Sequence, residues 1–304
     1  DDLIALAARW VQRHALWLDV RSKAERGDQL ARGLAVGPVV RTGPQALRFR
    51  AGVRVDAALR DMVADCLQHL LPNLAEVARD CDADGDAGHL HQARVALRRL
   101  RTALALFGPQ ADGLPAHWQE QLKQLFGKLG AARDRDVLEG WLVPALQAAG
   151  GPPLALPPLA ATEDGAQALR SSACTVLLLE LVRFAAAAPP PEGPLLKPAA
   201  ADALRRLHRR LRKDAAAWDS LDAEARHRVR KRLKRFRYGV ELAGSLWPDK
   251  AVGRLLEAVH PVQQLLGELN DLVVARRLFL AQPGQDPGCW FALGWIAARQ
   301  ELLS

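Results

Sequence analysis

The chain has 304 residues, 49% of them apolar and 25% charged, which is the balance of a folded globular protein and excludes a disordered tail. Only 5% are aromatic, and leucine and alanine dominate the apolar set, a bias toward helices because both residues lose little freedom on entering one. No apolar run reaches the roughly 20 residues that cross a bilayer, and the net charge is +8.

Apolar residues recur with a period of about 3.6 over segments 3–13, 16–34, 53–80, 88–107, 115–130, 134–149, 160–187, 199–218, 222–245, 250–268, 270–281 and 288–303, each of which predicts a helix. No alternation of period two appears, and residues 36–52 read as a linker with some extended character. Gly150-Gly151-Pro152-Pro153 with Pro157-Pro158, and Pro189-Pro190-Pro191-Glu192-Gly193-Pro194, break the helical blocks because proline runs cannot continue a helix. The prediction is all-α. The chain opens at Asp1 rather than at methionine, which is expected where a leading segment has been removed, and no secretory signal is visible. Cys66, Cys81, Cys174 and Cys289 lie far apart, with no C-x-x-C pair and no histidines at zinc-finger spacing, so buried thiols in a reducing cytoplasm are expected.

The positive charge is concentrated. Between Arg205 and Arg237 stand 14 Lys and Arg against four acids, and between His89 and Arg101 four arginines and no acid, which leaves the rest of the chain at −6. A basic protein tuned for solubility scatters its charge; concentration on a face is the footprint of an anionic partner.

Both basic segments carry one pattern. His91-x-x-Arg94-x-x-x-Arg98-Arg99-x-Arg101 reappears 136 residues later as His227-x-x-Arg230-x-x-x-Lys234-Arg235-x-Arg237. The helix after each copy is also repeated, Leu122-x-x-Leu125-Phe126-Gly127-x-Leu129 against Val262-x-x-Leu265-Leu266-Gly267-x-Leu269, at an offset of 140. The two halves therefore read as duplicates of one helical bundle, two pseudo-symmetric bundles of about four helices each.

At about 100° per residue, with His91 at zero, Arg94, Arg98 and Arg101 fall at about 300°, 340° and 280°, beside a stripe of Leu97, Leu100, Leu104 and Phe107. His227, Arg230, Lys234 and Arg237 repeat that arc beside Val229, Leu233, Phe236 and Val240. Arg205, Arg209 and Arg212 form a third basic arc, next to Leu204, Leu207, Leu211 and Trp218. A charged arc adjoining the core stripe points into a groove between helices, whereas charge opposite the core points to bulk water. Arg228, Arg232 and Arg235 fall on other sides of their helix, as solvated surface does. Like charges three and four apart cost a helix tenths of a kcal/mol per pair, while each charge-assisted hydrogen bond to a phosphate oxygen contributes about 1.5–3 kcal/mol. A bound polyanion reverses the sign.

The strings HQARVALRRLR (91–101) and HRVRKRLKRFRY (227–238) resemble the two signature helices of the CHAD family, and Arg133-Asp134 and Asn270-Asp271 stand where that family carries Arg-Asp and Asn-Asp. The resemblance covers roughly residues 50–304. It implies two helical bundles around a basic central groove or pore, binding of inorganic polyphosphate, and a cytoplasmic location at polyphosphate granules. Carried onto this chain it implies contacts from His91, Arg94, Arg98, Arg99, Arg101, His227, Arg230, Lys231, Lys234, Arg235, Arg237 and Tyr238, the last equally suited to a packing anchor. Ser22-Lys-Ala-Glu-Arg-Gly27 is similar to the end of CYTH domains, triphosphatases that often precede CHAD, but their Glu-x-Glu-x-Lys motif is absent here. The expected organisation is an N-terminal helical segment and linker, 1–45, packed on a CHAD domain, 46–304, with halves 46–188 and 198–304.

The chemistry that remains is thin. No phosphate-binding G-x-x-x-x-G-K-[ST] loop is present, and arginines around His91 and His227 oppose a divalent cation. Asp134, Asp136 and Asp271 fit helix capping or arginine pairing better than magnesium, and the eight tryptophans fit core and bundle edges better than base stacking. No catalytic residue, metal or cofactor is expected, and no membrane. The sequence reading is a non-enzymatic polyphosphate-binding module. Its alternatives are binding of a nucleic-acid backbone and an accessory or targeting domain for a phosphate-processing enzyme.

Overall fold

The computed structural model describes residues 2–33, 39–79, 87–111, 113–130, 138–154, 156, 165–281 and 287–303. Among them no strand forms, and the single isolated bridge pairs Arg54 with Leu195. The helices are α1 (Asp2–His14), α2 (Lys23–Ala31), α3 (Val55–Arg79), α4 (Ala87–Phe107), α5 (His117–Lys128), α6 (Val143–Ala148), α7 (Gly165–Arg170), α8 (Ser172–Ala186), α9 (Leu196–Ala216), α10 (Ala223–Ala243), α11 (Asp249–Leu280) and α12 (Pro287–Leu302). A π turn, Leu138–Leu142, leads into α6. The all-α reading holds. Cys81, Asp134, Asp136 and the start of the helix predicted at 134–149 lie outside the described residues.

The chain divides into two compact units, Asp1–Leu129 with Glu163–Ala200, and Gly130–Thr162 with Ala201–Ser304. The core of the first is built on α3 and α4. Leu59, Met62, Val63, Cys66 and Leu70 of α3 meet Ala93, Ala96, Leu97, Leu100 and Leu104 of α4 at helical spacing, and the alanines let the two helices approach closely. α8 adds Leu177, Leu178 and Leu181, and α1 lies on α8 through the buried Val11. Burial pushes the thiols of Cys66 and Cys174 up to about 12, so both are inert packing groups; Cys289 is half-buried.

Several of the polar groups in this core are paired. Arg99 Nη2 donates to Asp65 Oδ2 at 2.8 Å, with both side chains almost wholly buried. His69 Nε2 pairs with Gln92 Oε1 at 2.9 Å. Asn73 Nδ2 donates to the carbonyls of Thr42 and His69, which turns its Oδ1 to His89 Nδ1 at 3.0 Å. Burial lowers the pKa of His69 and keeps it neutral.

In the second unit Leu138, Leu142, Leu146, Leu156, Leu272, Ala275, Phe279, Ala292 and Ile296 form one core, joining the π turn and α6 to the end of α11 and to α12. α10 contributes a separate stripe of Val229, Leu233, Phe236 and Val240, as its periodicity predicts.

Three helix boundaries differ from the sequence expectation. Residues 16–34 do not form one helix: Ala15 takes φ 49° and ends α1, Asp19 Oδ1 accepts from the Arg21 amide at 3.0 Å, and a Ser22–Glu25 capping box restarts the chain as α2. The segment 160–187 is interrupted at Ser171, whose hydroxyl caps Cys174 N. The two helices predicted at 250–268 and 270–281 are one, α11, running unbroken through Asn270 and Asp271. The tryptophans divide more finely than expected: Trp118 is buried, Trp10 and Trp290 are exposed, and the other five are half-buried.

Candidate phosphate-binding faces

In the first unit, α4 carries the first copy of the repeated motif. Three guanidiniums gather around one ring: Arg94, Arg98 and Arg101 lie 4.4, 5.1 and 5.4 Å from the centroid of Phe126 on α5. Arg94 is the most buried of them and donates to the Phe126 carbonyl at 3.2 Å, while Arg98 and Arg101 are half-buried and His91 is exposed. The negative face of one ring returns about 0.5–1 kcal/mol per cation at such a site, less than a phosphate oxygen would.

Arg99 stands apart from this group. Its guanidinium is buried against Asp65 in the α3–α4 core, on the side of α4 away from the arc, so it serves the fold and leaves the ligand-facing set.

In the second unit, α10 carries the second copy and turns it toward α11. His227 Nδ1 meets Asn270 Oδ1 at 2.7 Å, and Arg230 lies 3.9 Å from Asp271. Asn270 Nδ2 donates to Asp271 Oδ1 at 3.3 Å, which fixes the amide orientation and makes His227 Nδ1 the donor. The Nε2 lone pair is therefore the side of the ring left for a ligand. Asp271 sits mid-helix and pairs with arginine rather than capping a helix start. Lys234 is half-buried and Lys231 exposed. Arg237 Nε reaches Glu241 at 3.1 Å and lies over the ring of Tyr238, which is buried and acts as a packing platform.

Arg205, Arg209 and Arg212 of α9 are exposed, with Arg205 paired to Asp202 at 3.4 Å. Two contacts fix how α9 is turned on α10: an ion pair between Asp214 and Arg232, and the rings of His208 and Phe236, 6.1 Å apart. With about 100° per residue, these contacts put Arg205, Arg209 and Arg212 on the same flank of the α9–α10 pair as the His227 arc. Arg228 pairs with Glu224 at the exposed surface, as expected. Arg232 and Arg235 lie on the opposite flank of the pair, so Arg235 does not join the arc of its own motif.

Sequence reasoning did not find Arg277, and it named Phe126 and Asn270 only as parts of the repeat and of the family's Asn-Asp pair, without a role on these faces. Arg277 comes two turns after Asn270 on α11, and its charge acts on His227. Burial, Lys231, Arg230 and Arg277 lower the pKa of His227 against the hydrogen bond it donates to Asn270, which raises it. The free imidazole is neutral near pH 7, and a phosphate oxygen can approach Nε2 only if that nitrogen gains a proton. An anion bound at Nε2 would thus raise the pKa, and its affinity would grow as pH falls through the raised value, levelling off below the lowered one. Between pH 8 and 6 we expect about a tenfold gain, the worth of one pKa unit. His227→Asn, assayed by titration at several pH values, should remove one proton of uptake; an unchanged pH slope would contradict the assignment.

The sequence profile of the CHAD domain matches residues 61–280. The chain belongs to the CHAD family. The crystal structure of the CHAD domain from the plant Ricinus communis is similar over 86% of this chain and 92% of that one, with 31% identity and a TM-score of 0.70. PptA from Streptomyces chartreusis shares the fold, at 17% identity and a TM-score of 0.56 over 83% and 95% of the two chains. No curated protein matches the chain by sequence. CHAD is known as a phosphate-related binding domain and is in general non-catalytic. No described helix is long and apolar enough to cross a membrane, and among the described residues no group of three His, Cys, Asp or Glu is placed to hold a metal ion.

Proposed function

We propose that this CHAD domain binds inorganic polyphosphate, without catalysis, through the basic faces of its two repeated helices. His91, Arg94, Arg98 and Arg101 form one face; His227, Arg230, Lys231, Lys234 and Arg237, flanked by Arg205, Arg209 and Arg212, form the other. The observation that carries the reading is the gathering of three guanidiniums around Phe126 in a segment with no acid between His89 and Arg101. Such a cluster suits a dense anion, and arginine's planar fork suits phosphate oxygens.

The repeat supports two further parts of the proposal. Duplicated halves, 46–188 and 198–304, are read as related bundles, and one extended chain is proposed to engage both arcs. A polymer of bare phosphates, rather than a sugar-phosphate backbone, fits faces whose aromatic groups lie beneath the cations instead of presenting stacking platforms. The same reading places the protein at polyphosphate granules in the cytoplasm.

The test is competition against labelled polyphosphate by unlabelled polyphosphate, duplex DNA, RNA and ATP at equal phosphate and fixed salt. Polyphosphate should compete at the lowest concentration by at least tenfold. Equal competition by DNA or RNA would favour the nucleic-acid reading, and release of phosphate by the isolated chain would overturn the non-catalytic one.

A further inference from the structure

The α9–α10 pair has a second basic flank. On α9, Arg206, Arg210 and Lys213 fall within about 60° of one another, displaced from the Arg205 arc. On α10, Arg228, Arg232 and Arg235 likewise share about 60°, on the side of the Val229–Leu233–Phe236 stripe away from His227. The Asp214–Arg232 ion pair joins these two stripes, because Asp214 lies one turn beyond Arg210 on α9. All six residues belong to the second unit, and only Arg232 is as much as half-buried.

The charge on this flank is largely uncompensated. Asp214 answers Arg232 and Glu224 answers Arg228. Among the described residues no carboxylate lies within ion-pair distance of Arg206, Arg210, Lys213 or Arg235. Burial first, and then the like charges of Arg210 and Arg235, disfavour the proton on Arg232. On this flank six cations from two helices stand against two carboxylates, Asp214 and Glu224.

We infer that Arg206, Arg210 and Lys213 of α9, with Arg232 and Arg235 of α10, form a second binding site for a phosphate chain, separate from the repeated-motif faces. The inference rests on the polyphosphate reading above and extends it: a domain with two such sites holds two stretches of polymer and cross-links long chains. Linkage through a second weak site raises avidity for long polymer far more than for short.

The experiment compares wild type, a second-flank variant (Arg206→Gln/Arg210→Gln/Arg235→Gln) and a motif-face variant (Arg98→Gln/Arg101→Gln/Arg230→Gln/Lys234→Gln). Isothermal titration with a short polyphosphate counts sites, and light scattering with a long one reports cross-linking. Wild type should bind two short chains, and each variant one. The second-flank variant should keep the affinity of its remaining site within about twofold and lose at least about fivefold in scattering. A wild-type stoichiometry of one, or a second-flank variant that still binds two chains and scatters like wild type, overturns the inference. If the motif-face variant instead keeps both sites, the motif assignment fails while the second flank is judged by its own variant. Loss of duplex DNA binding alone in the second-flank variant would also overturn the inference, since the occupant would then be a nucleic acid.

Discussion

Replacing Arg98 and Arg101 with glutamine in the first repeat, and Arg230 and Lys234 in the second, should each weaken polyphosphate binding by about 30- to 100-fold near 0.1 M salt. Two charge-assisted hydrogen bonds at about 1.5–3 kcal/mol each would allow more, but these side chains are half-buried and part of each gain is screened. Combined, the four changes should cost about a thousandfold or more if one chain spans both faces, because losses at independent contacts along a single ligand add in free energy. The salt dependence gives an independent readout. Each phosphate no longer neutralised lowers the slope of log K against log salt by about 0.7, so each pair should remove about 1.4. Arg94 is left intact in this series because it also donates to the Phe126 carbonyl, and its loss would disturb α5 as well as the ligand. Circular dichroism and thermal melting establish that the variants remain folded. Variants that bind with unchanged affinity and unchanged salt slope would remove the motif arcs from the binding surface.

The parts of this site that were legible in the sequence are those that depend on one helix at a time. An arc of His91, Arg94, Arg98 and Arg101 beside an apolar stripe follows from helical geometry alone, and α4 and α10 carry their stripes as predicted. What depends on a second element was not legible. Phe126 lies 25 residues beyond Arg101 and corresponds to Leu266 in the other copy, so nothing in the repeat marks it as a platform for three cations. Asn270-Asp271 reads locally as a helix break, because both side chains compete with the backbone for hydrogen bonds. In the fold they are turned outward to His227 and Arg230 instead, and α11 continues through them.

Arg235 and Arg99 show the same limit from the other direction. Adjacent to Lys234 and Arg98 in sequence, they share the motif's composition but point elsewhere, and only the partner residue reveals where. For Arg235 that clue is Arg232, one turn earlier, bound to Asp214 of α9. For Arg99 it is Asp65, 34 residues earlier on α3. A motif matched by composition gathers every cation on the helix, whereas binding uses one face.

Arg99→Leu should destabilise the protein by about 3–5 kcal/mol, since it strands the Asp65 carboxylate in the α3–α4 core without its partner. Asp65→Leu should do the same by stranding the guanidinium. The double variant Asp65→Leu/Arg99→Leu should recover most of that loss, because two apolar side chains of suitable volume in place of a buried ion pair are often neutral or better. Chemical denaturation of all four proteins gives the cycle directly, with a large favourable coupling between the two single changes. The decisive readout is binding: the double variant should hold polyphosphate as tightly as wild type, since the buried guanidinium has no path to a ligand. If the double variant is stable but binds more than about tenfold more weakly, Arg99 reaches the polymer after all, and the division of α4 into a core cation and a ligand-facing arc fails with it.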